Sequence, residues 1–189
     1  MTEPDILNLI PWAFSSNKSV FLHGTRVAKF ACAIAHVMGL STEESLILRR
    51  AAVAHDIGKC RLPEEIVNKP GALTDQECAC IRMHPEIGYE LLSASLGNGS
   101  QVARIVLQHH ERLDGSGYPA GLTGGDIDPL AKVVAVADVF DTMVYTQVYR
   151  PALPVCEALR QIRRDSGVLF DPEIVSVGVA LVEGGIWRG

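Results

Sequence analysis

Apolar residues recur at helical spacing along most of the chain, and this pattern predicts the secondary structure. The first apolar stripe consists of Val20, Val27, Phe30, Ile34 and Val37. His23 lies on this stripe, four residues before Val27, so its side chain is predicted to face the interior. His36 falls off the stripe and is predicted to lie on the surface, and Gly39 is predicted to end the helix.

The next helix is predicted to run from about Thr42 to Ile57, with Thr42 as its N-cap. Gly58 follows as a stop signal. The interior face of this helix consists of Leu48, Ala51, Ala52 and His55.

A capping box at residues 74–77 begins another helix, which is predicted to reach His84. Pro85 disfavours a straight continuation and is predicted to open a further helix. Ser100 is predicted to cap the helix after that, with His109 on its interior stripe. Residues 114–128 contain five glycines and are predicted to form a loop.

Asp128 followed by Pro129 is typical of a helix start. Over residues 130–137 Lys132 is the only charged residue, and a helix that is apolar on nearly all sides is a buried one. Asp138 follows directly, so its carboxylate is predicted to be buried as well. Two more helices are predicted over residues 154–164 and 172–181.

The pattern shows no strand pair, internal repeat or low-complexity segment. It predicts an all-α fold, a compact bundle of about seven to nine helices of ordinary length. At 189 residues the chain is expected to form one domain. Residues 1–17 would be an N-terminal lead segment and residues 183–189 a C-terminal tail.

The composition narrows the classes of function. A net charge of -5, from 17 basic and 22 acidic residues, lacks the basic surface that a general nucleic-acid binder needs. The longest apolar run, residues 174–182, is about half of the ~20 residues that a membrane span requires, so no membrane association is predicted. The five cysteines form no Cys-x-x-Cys pair, and the acidic N-terminus lacks the basic region of a signal peptide. Reduced thiols and a cytoplasmic location are therefore expected.

Four potential metal ligands lie on stretches that the apolar pattern buries: His23, His55, His109 and Asp138. A single buried histidine is usually a hydrogen-bonded core residue, whereas a buried ionised aspartate is costly unless it is paired or bound to metal. One shared metal cluster would satisfy all four groups together. Imidazole with carboxylate and without thiolate suits iron, manganese, zinc, nickel or cobalt better than magnesium alone.

Two motifs resemble those of a known family. Residues 55–59 read His-Asp-Ile-Gly-Lys, and residues 109–119 read His-His-Glu-Arg-Leu-Asp-Gly-Ser-Gly-Tyr-Pro. With these motifs the chain resembles, from about Phe21 to Pro172, the HD-GYP family of bacterial metallohydrolases that cleave cyclic dinucleotides. The resemblance implies an HD-type helical bundle with a metal site in its core.

The resemblance also implies a site for two transition-metal ions. The first metal ion would be held by His23, His55, Asp56 and Asp138. The second would be held by Asp56, His84, His109 and His110, with Asp56 bridging the two ions. Iron or manganese is expected, and nickel, cobalt and zinc stay open.

The family's catalytic residues map onto Asp56 and Lys59. Lys59 would contact the scissile phosphate or assist departure of the O3′ leaving group, and the alternative is a solvated lysine at a helix end. Gly117 and Tyr118 lie in the loop that the resemblance links to substrate choice and to a GGDEF-type cyclase partner.

Three acids are expected to support the site without binding metal directly. Glu111 and Asp114 are expected to brace the Gly-Tyr-Pro loop and the groups behind the ligands, because ligating histidines usually donate their other nitrogen to such acids. Asp141, one turn after Asp138, either orients a ligand or caps the helix.

The chain departs from the family pattern at two places. Some members carry a glutamate for a third metal where this chain has Ser19, so two metal ions are expected. Residues 146–151 are about two residues shorter than the family's segment, which leaves Arg150 as a candidate phosphate contact or a plain surface arginine. Many members carry a sensor domain upstream, for which 189 residues leave no room, so the chain is either a stand-alone enzyme or part of a longer protein.

The function that the resemblance implies is a phosphodiesterase that hydrolyses cyclic di-GMP, or cyclic GMP-AMP, to linear pGpG or GMP through a hydroxide bridging two metal ions. Two alternatives stay open: a catalytically weak or inactive cyclic-dinucleotide receptor, and another HD-superfamily nucleotide phosphohydrolase. Lys59 and the complete ligand set favour catalysis, whereas the shortened segment at Arg150 favours a receptor. A homodimer is a further expectation.

Overall fold

The computed structural model describes residues 18–146 and 151–187. Over these residues it contains nine α-helices and one 3-10 helix. The helices are α1 (Lys18–Val37), α2 (Thr42–Ala54), the 3-10 helix (Ile57–Arg61), α3 (Glu64–Val67), α4 (Asp75–Ile81), α5 (His84–Leu96), α6 (Gln101–Gln108), α7 (Pro129–Val144), α8 (Val155–Arg164) and α9 (Pro172–Glu183). Among the described residues the β-structure is limited to two isolated bridges, so the all-α prediction is confirmed.

Helix α7 is the central element of the bundle. It packs against α1, α2, α6, α8 and α9. Its residues from Leu130 to Ala137 are buried except Lys132, as the apolar pattern predicts. The carboxylates of Asp138 and Asp141 are therefore enclosed by apolar helices, 6% and 3% exposed. Burial at this depth requires charged or hydrogen-bonding partners for both groups.

Several predicted helix ends are wrong by a few residues. Ser41, not Thr42, is the N-cap of α2, because its hydroxyl accepts from the backbone N–H of Glu44 in a capping box. Helix α2 ends at Ala54, so His55 and Asp56 lie just beyond it, before the 3-10 helix. Helix α4 ends at Ile81, short of the predicted end at His84. Val37, placed on the interior stripe of α1, is 55% exposed at the end of that helix.

Gly58 allows the 3-10 helix to lie directly on the start of α5. A Cβ atom at this position would lie 2.8 Å from the backbone nitrogen of Gly88 and 2.8 Å from the carbonyl carbon of His84, closer than real Cβ contacts. The close approach brings the Asp56 side chain next to that of His84.

The C-terminal residues also pack on the bundle, since the Trp187 ring stacks on Phe30 at 5.0 Å between centroids. Within the described part of the chain, each helix is either too short or too polar to cross a membrane.

Candidate metal centre

Seven side chains with metal-binding atoms meet at one buried point between the helices. They come from α1, from the α2 end, from the start of α5, from the end of α6 and from α7. These residues are His23, His55, Asp56, His84, His109, His110 and Asp138. They form three overlapping groups in which the ligand atoms lie within 4.8 Å of one another.

The first part of the centre joins α1, the α2 end and α7. The His23 Nε2 atom lies 2.9 Å from Asp138 Oδ1. The His55 Nε2 atom lies 3.6 Å from the same Asp138 oxygen and 3.5 Å from Asp56 Oδ2. This nitrogen is buried and has no hydrogen-bond partner among the described residues. A buried imidazole nitrogen aimed at two carboxylates is an acceptor that a metal ion would satisfy.

The second part joins the 3-10 helix, α5 and the end of α6. The His84 Nε2 atom lies 3.2 Å from Asp56 Oδ1 and 3.2 Å from His109 Nε2. The rings of His109 and His110 lie 4.0 Å apart between centroids. The two oxygens of Asp56 thus face different groups, Oδ1 towards His84 and Oδ2 towards His55. This is the arrangement that a bridging carboxylate requires.

Backbone carbonyls orient three of the histidines. In each case the Nδ1–H group donates to the carbonyl oxygen three residues earlier in the chain. The pairs are His55 with Ala52 at 2.8 Å, His84 with Ile81 at 2.7 Å and His109 with Val106 at 2.7 Å. Because a carbonyl can only accept, Nδ1 carries the proton and Nε2 keeps its lone pair for a metal. The expectation that acids bind these ring nitrogens is wrong for all three.

Charge and burial set the protonation of the centre. Burial, with help from neighbouring histidines, holds the pKa of His109 well below its ordinary value, and burial lowers the pKa of His110 to about 3. Both imidazoles are therefore neutral at neutral pH, which is the form that binds metal. Burial alone raises the pKa of Asp56, but Lys59 and the adjacent histidines outweigh it and hold that pKa well below the ordinary range.

His23 differs because carboxylates face both of its nitrogens. Its Nδ1 atom lies 2.7 Å from Asp141 Oδ2, in addition to the Asp138 contact of Nε2. Burial lowers the pKa of His23, but the hydrogen bonds to Asp138 and Asp141 outweigh burial and raise it to about 9. Ligation through Nε2 would release that proton. Of the two roles considered for Asp141, its contacts favour orientation of a ligand.

Arg26 is a site residue that the sequence reasoning missed. Its Nε and Nη2 atoms donate to the two oxygens of Asp141, at 2.8 Å each, and its guanidinium lies 3.9 Å from the centre of the Tyr145 ring. The bidentate pair fixes the carboxylate that in turn orients His23. Its position three residues after His23, one helical turn away, is the only sequence signal for it.

We expect Arg26→Ala to weaken metal affinity by about 10- to 100-fold, because Asp141 would lose the partner that fixes its orientation towards His23. Titration of metal against a chelating dye would measure the change. Arg104→Ala is the matched control. Arg104 also forms an ion pair with a buried aspartate, Asp128, at 3.0 Å, and Asp128 is not one of the candidate ligands. Equal metal affinities for the two variants and the unmodified protein would show that Arg26 does not support the site.

Lys59 lies at the edge of the centre and contacts the bridging acid. Its Nζ atom is 2.7 Å from Asp56 Oδ2, and the side chain is 24% exposed. The lysine is therefore held against the ligand cluster and reachable from solvent, unlike a freely solvated lysine at a helix end.

The Gly-Tyr-Pro loop is built onto the second part of the centre. The carboxylate of Glu111 accepts from the backbone N–H groups of Ala120 and Leu122, at 2.8 and 2.9 Å. Asp114 accepts from the N–H and hydroxyl of Ser116, at 2.9 and 2.7 Å. These bonds lie within the loop, which favours the expectation that the two acids brace it.

The loop packs tightly against the histidine segment. A Cβ atom on Gly117 would lie 2.5 Å from the backbone nitrogen of Arg112 and 2.6 Å from the carbonyl oxygen of His110, so only glycine fits. The Tyr118 ring stacks on the His110 ring, with centroids 4.7 Å apart.

Arg150 lies outside the described residues, and Ser19 lies at the exposed start of α1.

The donor set fits transition-metal ions. It consists of imidazole and carboxylate groups. One buried nitrogen, His55 Nε2, has no hydrogen-bond partner in the described part of the chain, and the two oxygens of Asp56 face different histidines. The five cysteines of the chain lie elsewhere, so thiolate ligation plays no part.

Comparison with known proteins decides the family. The HD domain family model matches residues 5–174. The chain belongs to the HD domain family. The relatives that the chain matches at 42–46% identity confirm the resemblance to the cyclic-dinucleotide phosphodiesterases of the HD-GYP type.

The matched relatives include proteins named as cyclic di-GMP phosphodiesterases. The cyclic di-GMP phosphodiesterase response regulator RpfG of Xanthomonas campestris is 46% identical over 83% of this chain and 41% of its own length. A cyclic di-GMP phosphodiesterase of Thermotoga maritima is 42% identical over 84% of this chain and 44% of its own length. A 3'3'-cGAMP-specific phosphodiesterase of Vibrio cholerae is 34% identical over 91% of this chain and 33% of its own length. The chain thus spans less than half the length of these relatives.

Solved structures agree on the fold. Bd1817, a HDG"Y"P protein from Bdellovibrio bacteriovorus, superposes with a TM-score of 0.74 at 24% identity, over 89% of this chain and 54% of that one. The HD domain of the Listeria monocytogenes phosphodiesterase PgpH, in complex with cyclic-di-AMP, gives a TM-score of 0.66 at 20% identity, over 96% and 98% of the two chains. At these identities the likeness concerns the fold alone.

Proposed function

We propose that this protein is a metal-dependent phosphodiesterase that hydrolyses cyclic di-GMP or cyclic GMP-AMP. The observation that carries the proposal is Asp56, a buried carboxylate whose two oxygens face two different groups of histidines. The named activities of relatives at 34% identity and above support the substrate class, a cyclic dinucleotide.

Two transition-metal ions, iron or manganese, would occupy the centre. The first would be held by His23, His55, Asp56 and Asp138. The second would be held by Asp56, His84, His109 and His110. When bound, such a pair supplies positive charge for the phosphate and lowers the pKa of an attacking water.

The side chains of this protein perform the remaining tasks. The carbonyl-bonded imidazoles hold their Nε2 lone pairs towards the centre, so that little reorganisation accompanies metal binding. Lys59, partly exposed beside Asp56, would donate a hydrogen bond or a proton to the departing O3′ oxygen. The Gly-Tyr-Pro loop, fixed by Glu111 and stacked on His110, would border the substrate.

Each turnover adds one water across one P–O3′ bond, leaving a 5′-phosphate and a 3′-hydroxyl group. One such step converts cyclic di-GMP to linear pGpG, and a second step yields GMP. The relatives include enzymes named for either cyclic di-GMP or 3'3'-cGAMP, so either dinucleotide fits the proposal. We propose that the reaction takes place in the cytoplasm and within a single domain. A GGDEF-type cyclase is the candidate partner at the Gly-Tyr-Pro loop, and a homodimer is the candidate assembly.

A substrate panel tests this function. Metal-replete protein would be incubated with cyclic di-GMP, 3'3'-cGAMP, cyclic di-AMP, a deoxynucleoside triphosphate and a guanosine polyphosphate, and the products separated by chromatography. The highest kcat/KM is expected for a guanine-containing cyclic dinucleotide. Tight binding of that ligand without linear product, with iron and with manganese, would instead indicate a receptor. Turnover of the mononucleotides alone would indicate a different phosphohydrolase.

A further inference from the structure

Arg82 lies against the Gly-Tyr-Pro loop, next to the Tyr118 ring that stacks on His110. Its guanidinium carbon is 4.5 Å from the centre of the Tyr118 ring, and the same ring stacks on His110 at 4.7 Å. Arg82 is the C-cap of α4, and its backbone N–H donates to the carbonyls of Cys78 and Cys80. The residue is thus fixed at its backbone and oriented at its side chain, close to the metal centre.

In the part of the chain that the structure describes, the Arg82 guanidinium contacts the Tyr118 ring and forms no ion pair with an acid. Other cations near the centre are already engaged. Lys59 contacts Asp56 and Arg26 contacts Asp141, while Arg112 donates to the carbonyls of His109 and Glu111. Arg82 is also exposed, so an anion from solvent can reach it.

A cyclic dinucleotide carries two phosphodiester groups, and only one is attacked at a time. The other phosphate keeps its negative charge near a centre that contains Asp56 and Asp138, in a chain of net charge -5. A guanidinium provides two parallel N–H donors for such a phosphate, and stacking on an aromatic ring orients these donors before the ligand arrives.

We propose that Arg82 is a substrate-binding residue that contacts the phosphate that is not being cleaved. This inference rests on the proposed function, because it assigns a role towards the same substrate. The contact is made equally in the bound substrate and in the transition state, so its loss raises KM and leaves kcat nearly unchanged.

The test compares a substrate that has two phosphates with one that has a single phosphodiester. For Arg82→Ala we expect KM for cyclic di-GMP to rise by about 10- to 100-fold, the range of one charge-assisted bidentate contact. Hydrolysis of bis(p-nitrophenyl) phosphate, which lacks a second phosphate, should keep the unmodified rate. Arg160→Ala is the control, since Arg160 is exposed on α8 and pairs with Glu157. Elemental analysis should give equal metal contents for all three proteins.

An equal loss on both substrates would overturn the proposal, because it would mean that Arg82 acts by positioning Tyr118 and His110. An unchanged KM for cyclic di-GMP would overturn it as well. Failure of the proposed function is distinguishable, since the unmodified metal-replete protein would then hydrolyse no cyclic dinucleotide. In that case, calorimetric titration of cyclic di-GMP against the unmodified and Arg82→Ala proteins still measures the contact, and equal dissociation constants would refute it.

Discussion

Asp56→Ala is expected to remove both metal ions and to abolish hydrolysis of cyclic dinucleotides. The carboxylate has oxygens facing both histidine groups, so its loss takes one ligand from each at once. His84→Ala, by contrast, removes a ligand from the second group alone and should leave about one metal ion per chain. Elemental analysis of protein purified without chelators would measure both variants against an expected content of about two for the unmodified chain.

Circular dichroism of the same samples separates loss of metal from loss of fold. The α-helical signal of Asp56→Ala should match that of His84→Ala, because both residues lie at helix ends and the apolar core stays intact. A metal content of about one that does not change on Asp56→Ala would contradict a dinuclear centre bridged by this residue.

Lys59→Ala is expected to lower kcat by about 10²–10³-fold while the metal content changes little. A lysine ammonium group has no lone pair with which to bind a metal. It places a partly exposed positive charge 2.7 Å from the carboxylate of Asp56. There it can stabilise the charge that develops on the leaving oxygen. Steady-state kinetics with cyclic di-GMP, together with elemental analysis, would separate the two effects.

Lys69→Ala is the matched control for this variant. Lys69 pairs with a carboxylate that is not a candidate metal ligand, that of Glu77, at 2.6 Å. Its replacement should leave kcat unchanged. Full activity of Lys59→Ala with bound metal would show that Lys59 only neutralises Asp56.

The sequence was most informative where burial and chemistry coincide. The apolar stretch of α7 predicts that Asp138 is buried, and a buried charge requires a partner. The apolar pattern also predicted that three histidines are buried near Asp138. His84 and His110 were predicted as metal ligands from the family motifs alone. Helix ends were less predictable: the choice between Ser41 and Thr42 depends on which hydroxyl reaches the N–H of Glu44, a detail of local geometry.

The groups that orient the ligating side chains could not be predicted from the sequence. Three imidazoles are oriented by carbonyls three residues earlier, and every residue has a carbonyl, so no residue type marks this role. Arg26 and Arg82 were missed for a related reason. Their partners, Asp141 and Tyr118, are 115 and 36 residues away in the chain, and only the fold brings them together.

We propose that two metal ions held by this cluster make the protein a cyclic dinucleotide phosphodiesterase. The most direct test of this proposal is to titrate chelator-treated protein with manganese or iron and to measure linear product from cyclic di-GMP and 3'3'-cGAMP at each step. Activity is expected to be absent without metal, to stay low up to one equivalent and to rise to a plateau at two equivalents. Undiminished hydrolysis by metal-free protein, or no linear product from either dinucleotide at two bound equivalents, would contradict a metal-dependent phosphodiesterase.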